Sequence, residues 1–158
     1  MITLQGALAD ELAPGPLMRT QFATDPVADG WWPLADGGGP SQGSWLPPGQ
    51  PNTPAGCGVL AVQRGGWESH TLPLVPGQFY HLVFTARAPT GGMWQCRFLG
   101  ADNLEISADH WTSFAASADW HSYESVIMAR PNSKWAKIAW MLNNGPCELA
   151  GVSLTPIT

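Results

Sequence analysis

The chain has 158 residues, a length that suits one domain with a core of its own, and only 12% of them are charged. Its net charge is −5 and its seven Lys and Arg residues are scattered, which argues against a nucleic-acid-binding protein because no phosphate-neutralising patch forms. No apolar run reaches the length of a membrane span and no long helical period occurs, so the 18 Gly and 15 Pro residues predict an all-β fold.

The first segment is predicted to be an N-terminal arm that precedes the domain. Residues 1–16 contain one short alternating piece and end in turn formers, Ala13-Pro14-Gly15-Pro16. The single domain is therefore expected to span residues 17–158, with its first strand at 17–23. No signal peptide is visible, because these first residues contain neither a basic region nor an uninterrupted apolar stretch.

Two tryptophans and a long loop are predicted to follow the first strand. The turn signal Asp29-Gly30 brings Trp31 and Trp32 onto a loop. Residues 33–56 consist mostly of Gly, Pro, Ser and Gln around Trp45, a composition that predicts no regular strand. A loop of this length is usually functional or flexible.

Strands with alternating apolar and polar residues fill the rest of the chain. In residues 79–88 an apolar set alternates with a polar set that ends in Arg87. Residues 93–99 alternate in the same way, with Gln95 and Arg97 on the polar side. We expect these two strands to form a hairpin, so that the three polar residues share its non-core face. Other strands are predicted at 58–64, 69–74, 104–107, 120–129, 135–142 and 147–154, which with residues 17–23 makes about nine.

The spacing of these strands is similar to that of a known family. Leu74-Val75-Pro76-Gly77 ends a short strand, and Tyr80 then opens a run in which Tyr, Leu, Phe and Ala alternate. Trp120, with a Tyr three residues on, precedes Ala129-Arg130-Pro131. Over residues 20–155 the chain resembles carbohydrate-binding modules with the galactose-binding-like jelly-roll β-sandwich. The resemblance implies that fold and the binding of sugars.

The nine tryptophans are the compositional outlier. A core of this size uses three or four, and we assign Trp94, Trp120 and Trp140 to it because they alternate with apolar positions. The others are expected in loops or on the surface, where an exposed Trp indicates recognition.

Sugar recognition needs a flat aromatic ring against the C–H face of a pyranose and planar hydrogen-bonding groups for its hydroxyls. The predicted ligand-binding residues are Trp31, Trp67 and Trp111 for stacking, and Arg87, Gln95 and Arg97 as polar partners. Two other interpretations stay open. Arg87 and Arg97 pair with Glu124 on a solvated sheet, and Trp31 or Trp32 plugs the end of the sandwich.

Neither catalysis nor a cofactor is predicted. Acidic residues are few and lie mostly in turns, no Gly-x-Ser-x-Gly elbow occurs, and the four histidines show no close ligand spacing. Members of the resembling family commonly hold a structural Ca²⁺ between the first and last strands. The matching positions here, Phe22-Ala23 and Ala150-Gly151, carry no carboxylate, so we expect no metal.

The three cysteines leave one thiol over if two of them pair. Cys96 lies on an apolar strand face and is most simply a small core residue. Cys57 and Cys147 each precede a predicted strand, and a disulfide between them requires those strands to be neighbours. The sequence leaves this pairing open.

The predicted function is non-catalytic binding of a polysaccharide or cell-surface glycan, outside cells or on a virion surface, with no nucleic acid and no membrane span. One hypothesis is a phage surface protein, a head decoration or a tail-associated adhesin, that contacts other virion proteins through residues 1–16. An excised module of a secreted polysaccharide-degrading enzyme explains the same sequence. The rival class is a structural protein whose sandwich contacts other proteins.

Overall fold

A computed structural model describes residues 15–35, 42–142 and 145–158, so the predicted arm of residues 1–16 lies almost entirely outside it. Within these ranges the regular structure consists of thirteen strands and the 3₁₀-helix Pro26–Asp29, and no helix is long and apolar enough to cross a membrane. The strands are β1 (Met18–Thr20), β2 (Trp32–Leu34), β3 (Gly43–Leu46), β4 (Val59–Val62), β5 (Gly66–Glu68), β6 (Leu72–Pro73), β7 (Phe79–Ala88), β8 (Gly92–Leu99), β9 (Glu105–Ala108), β10 (Thr112–Phe114), β11 (Ser117–Met128), β12 (Trp135–Leu142) and β13 (Cys147–Pro156).

The strands form two antiparallel sheets that enclose one core. Sheet A has six strands in the order β11-β7-β13-β4-β3, with β1 beside β13. Sheet B has seven strands in the order β10-β8-β12-β5-β2, with β6 beside β12 and β9 beside β8. The core cluster takes residues from both sheets, such as Phe84 of β7 and Trp140 of β12, whose ring centroids lie 5.8 Å apart. This architecture confirms the predicted all-β jelly-roll β-sandwich.

The strand count is thirteen where about nine were predicted. The strands that the sequence did not predict are β2, β3, β5 and β10, each of three or four residues. The prediction of no strand in residues 33–56 was therefore wrong, because β3 pairs with β4 along its whole length. Segments this short bond to a neighbouring strand without being long enough to show an alternating period.

The predicted hairpin of the strands now labelled β7 and β8 does not form. β7 pairs with β11 and β13 in sheet A, whereas β8 pairs with β12, β10 and β9 in sheet B. The connection after Ala88, with Gly91 at φ 83°, carries the chain from one sheet to the other. Because the apolar faces of both strands point into the same core, their polar faces point away from each other. Arg87 consequently cannot share a face with Gln95 and Arg97.

Trp94 and Trp140 are buried, but the prediction that Trp120 joins them in the core was wrong. A β-bulge in β11 between Ser117 and His121 breaks the alternation at this point. The half-buried Trp120 instead donates from Nε1 to the carbonyl oxygen of Asn52 at 2.7 Å.

All three cysteines are buried and free, so the pairing of Cys57 with Cys147 does not occur. Their strands β4 and β13 are neighbours, as the pairing requires. However, antiparallel pairing places Cys147 opposite Val62, at the end of β4, whereas Cys57 precedes its start. Five residues of extended chain correspond to about 16 Å, far beyond disulfide reach.

Candidate functional site

The outer face of sheet B carries a row of residues that runs across its strands. Trp32 of β2 lies opposite Glu68 of β5, and Glu68 lies opposite Ala139 of β12. Ala139 lies opposite Gln95 of β8. Thr112, the first residue of β10, lies opposite Trp94 of β8. Trp111 directly precedes Thr112, so the antiparallel register places it beside Gln95. We call Trp32, Glu68, Ala139, Gln95 and Trp111 the cross-strand row.

An exposed tryptophan stands at each end of the cross-strand row. Trp32 is 63% exposed and Trp111 is 39% exposed. Because β2 and β10 are the end strands in the order of sheet B, the two positions are four strand spacings apart, about 19 Å. Between them, Ala139 contributes only a methyl group and is buried among its neighbours, as is Glu68. An extended ligand lying across the strands could contact both rings.

The polar centre of the row is a buried carboxylate held by two cations. Glu68 accepts a hydrogen bond from Arg97 Nη1 to its Oε2 at 2.5 Å, and its Oε1 lies 3.8 Å from Lys137 Nζ. Arg97 also donates from Nε to Glu105 Oε1 at 2.7 Å. The hydrogen bonds to Glu105 and then to Glu68 raise the pKa of Arg97, although desolvation acts in the opposite direction. The carboxylate of Glu68 is thus fixed in place, and its several lone-pair positions leave it able to accept further hydrogen bonds.

Gln95 fixes the segment that leads to Trp111. Its Nε2 donates to the backbone oxygen of Asp109 at 2.9 Å, and the carboxylate of Asp109 forms an ion pair with Arg130. An amide side chain has two N–H donors and one oxygen acceptor, so this bond uses only one of the three. Gln95 can therefore hold the Trp111 segment and still bond to a ligand.

Two of the predicted stacking residues lie in the core. Trp31 is 1% exposed, with its ring stacked on Trp140 at 5.8 Å and against Phe22 at 5.1 Å. Trp67 is 4% exposed and donates from Nε1 to the oxygen of Ala61 at 3.2 Å. The prediction that these two rings stack on a sugar was wrong, because neither presents a face to solvent.

The signal that separates Trp31 from its neighbour was present in the sequence. Successive residues of an extended chain point to opposite faces, so only one of Trp31 and Trp32 can enter the core. The interpretation in which one of them plugs the sandwich holds for Trp31, and Trp32 is the surface residue that the prediction missed. Glu68 was missed because the short strand β5 shows no period.

Arg87 lies on the outer face of sheet A, away from the cross-strand row. Its Nε and Nη2 donate to the two carboxylate oxygens of Glu148 at 3.0 Å each, and Nη1 donates to the oxygen of Asn52 at 3.2 Å. The guanidinium lies 4.7 Å from the ring centroid of Trp120. The interpretation that Arg87 and Arg97 pair with Glu124 was also wrong, since Glu124 contacts His81 at 3.5 Å.

The described residues contain no group of three or more His, Cys, Asp or Glu side chains that could hold a metal ion. The cross-strand row itself has a single carboxylate, Glu68. The exposed rings of Trp32 and Trp111 and the polar groups of Glu68 and Gln95 give the row surfaces for ring contact and for hydrogen bonding.

No protein-family model matches this chain, and no curated protein matches it. Several solved structures match its fold. The enzymatically active domain of tailspike protein 4 from bacteriophage CBA120 has a TM-score of 0.67 at 16% identity, over 87% of this chain and 20% of that one. The CBM22-1-GH10 modules of a Clostridium thermocellum xylanase, in complex with xylohexaose, have a TM-score of 0.65 at 12% identity, over 90% of this chain and 29% of that one.

A third structure has nearly the same length as this chain. The CBM22-1 xylan-binding domain of Paenibacillus barcinonensis Xyn10C has a TM-score of 0.64 at 9% identity, over 92% of this chain and 97% of that one. This chain thus spans less than a third of the first two structures and almost all of the third. At these identities the likeness concerns the fold, and the chain has the β-sandwich fold of carbohydrate-binding modules, as its sequence pattern predicted.

Proposed function

We propose that this chain is a non-catalytic glycan-binding module that uses the cross-strand row on the outer face of sheet B. The observation that carries the proposal is the pair of exposed rings, Trp32 and Trp111, at the two ends of a row with a fixed polar centre. The fold shared with carbohydrate-binding modules supports it.

The chemistry of the row matches what a saccharide chain offers. Pyranose rings present apolar C–H faces that stack on the flat indoles of Trp32 and Trp111. Their hydroxyls can donate to the carboxylate of Glu68 and bond to the free groups of the Gln95 amide. Arg97, two residues from Gln95 along β8 and on the same face, extends these polar contacts. Four strand spacings, about 19 Å, suit a short run of sugars lying across the strands.

Modest affinity is expected because the row lies on an open sheet face. Two rings and a few hydrogen bonds on a shallow site correspond to a Kd between about 10 μM and 1 mM, roughly −4 to −7 kcal/mol. The natural target would be a polysaccharide or a cell-surface glycan, which places the chain outside cells or on a virion.

Affinity electrophoresis over a panel of plant, algal and bacterial polysaccharides tests the proposal. At least one polysaccharide should retard the protein. Trp32→Ala and Trp111→Ala should each weaken the affinity measured from the retardation by about tenfold or more, which corresponds to a loss of roughly 1.4 kcal/mol of binding free energy. Phe79→Ala is the matched control, because Phe79 is a 48% exposed aromatic residue on the other sheet. Retardation by no polysaccharide, or equal losses in all three variants, would overturn the proposal, and release of reducing sugar would indicate an enzyme.

A second candidate is a glycan-binding domain of a phage virion surface protein, such as a head decoration or a tail-associated adhesin. The match to part of a bacteriophage tailspike favours it. Residues 1–16 would then serve attachment to other virion proteins. A chain lacking residues 2–16 should keep its fold and its sugar binding under both candidates, but only a virion protein should bind particles as the full chain and lose that binding on deletion. Failure of the full chain to bind any virion particle would remove this candidate.

A further inference from the structure

The charges beside the cross-strand row are arranged in matched pairs. Arg97 and Lys137 lie opposite each other on β8 and β12, two residue pairs along the strands from Gln95 and Ala139 and on the same face. Arg97 is shared between Glu68 and Glu105, and Lys137 lies 3.8 Å from Glu68. At the Trp111 end, Arg130 pairs with Asp109. Three cations and three carboxylates therefore balance.

The buried member of this array is an anion. The side chain of Glu68 is 8% exposed, whereas those of Arg97 and Lys137 are 33% and 35% exposed. Because Glu68 lies against both cations, it offsets their charge, and the array offers no net positive charge to a ligand above the row. Arg97 and Lys137 already pair with Glu68, and Arg97 also pairs with Glu105. A carboxylate or sulfate on a sugar would therefore find no unpaired cation among these residues.

We infer, given the proposed glycan binding, that the ligand of the cross-strand row is an uncharged polysaccharide and that Glu68 is the residue that selects it. A neutral sugar donates hydroxyl hydrogen bonds to Glu68. A uronate or sulfated sugar would bring a second anion to a row whose centre is already an anion and would lose water without gaining an ion pair.

Polysaccharide pairs that share a backbone and differ in charge test this inference. One pair is hydroxyethylcellulose with carboxymethylcellulose, and the second is the most retarding neutral polysaccharide of the panel with its own carboxymethyl derivative. At pH 8 and about 20 mM salt, the anionic member of each pair should bind at least about tenfold more weakly than the neutral member, and about 0.5 M salt should reduce that ratio.

Three single substitutions identify the source of the discrimination. Glu68→Gln and Glu105→Gln each remove one negative charge at the row, so the anionic member should bind at least about threefold more tightly relative to the neutral one. Glu105→Gln keeps the test valid if Glu68→Gln does not fold, because the Glu105 side chain is 45% exposed. Glu148→Gln is the matched control, because it removes the same charge from a carboxylate paired with an arginine on sheet A.

The outcomes separate this inference from the function on which it rests. Weaker binding of the anionic members, relieved by the row variants and not by Glu148→Gln, supports the inference. Equal or tighter binding of the anionic members overturns it and leaves the proposed glycan binding intact. Equal relief by all three variants also overturns it, because net charge would then be the cause. Binding of no polysaccharide overturns both.

Discussion

Trp31 and Trp32 are neighbours in sequence with opposite roles in the molecule. The ring of Trp31 fills the core between Phe22 and Trp140, while Trp32 stands on the outer face of sheet B. Trp31→Ala should therefore lower the free energy of unfolding by about 3 to 5 kcal/mol, the cost of removing a buried aromatic side chain. Trp32→Ala should change it by less than about 0.5 kcal/mol, as is usual for exposed positions. Denaturant unfolding measures both values, and similar values for the two variants would contradict these assignments.

The buried thiols give a second prediction at the residue scale. Desolvation by burial raises the pKa of Cys96 to about 12 and that of Cys147 to about 12, and it raises the pKa of Cys57 as well. All three should react slowly with a thiol reagent at pH 8 in the folded protein and rapidly in denaturant, because the thiolate is the reacting form. Rapid reaction of Cys96 or Cys147 without denaturant would contradict the burial.

The same thiols predict how the stability of the fold changes with pH. A pKa raised by folding means that the folded state keeps protons that the unfolded chain releases above its own thiol pKa, near 9. Stability should accordingly be unaffected by these groups below about pH 8 and fall as the pH rises from about 9 towards 12. Urea unfolding at several pH values measures the slope, and replacement of Cys147 by Ala should reduce it.

At the scale of elements, sheet A is secured by a clamp around Arg87 of β7. A bulge in β11 lies beside this residue, where Trp120 meets it, and the regular pairing of β13 places Glu148 directly opposite Arg87. The bonds from Arg87 and Trp120 to Asn52 also tie the loop before β4 to the sheet. Arg87→Ala should lower stability by about 1 to 3 kcal/mol, since hydrogen bonds to a charged group are lost. Sugar binding should persist, and its loss would assign the site to sheet A.

How far the sequence predicted these elements depends on their length. The bounds of β7 and β12 match the predicted ones, because eight or ten residues of alternation mark a strand clearly. The partners of those strands could not be predicted, since alternation says which residues face the core and not which sheet holds the strand. The three-residue strands β2 and β5 carry no period, which is why the sequence did not place Trp32 and Glu68 on one sheet face with Gln95, Arg97 and Trp111.

At the scale of the whole molecule, the two outer faces of the sandwich differ in kind. The face of sheet B carries the cross-strand row with an exposed ring at each end. On the face of sheet A, Arg87 and Trp120 are bonded to their own neighbours, and exposed apolar residues such as Phe79 and Val126 lie elsewhere on it. This asymmetry is the reason that we propose a single glycan site, on sheet B.

The most direct test of that claim is a titration of the ¹⁵N-labelled protein with the polysaccharide or oligosaccharide that retards it most, followed through the indole N–H resonances of the tryptophans. The resonances of Trp32 and Trp111 should shift in proportion to saturation, while those of the buried Trp31 and of Trp120 on sheet A should stay in place. Shifts centred on Trp120, or shifts confined to residues outside the cross-strand row, would contradict the account.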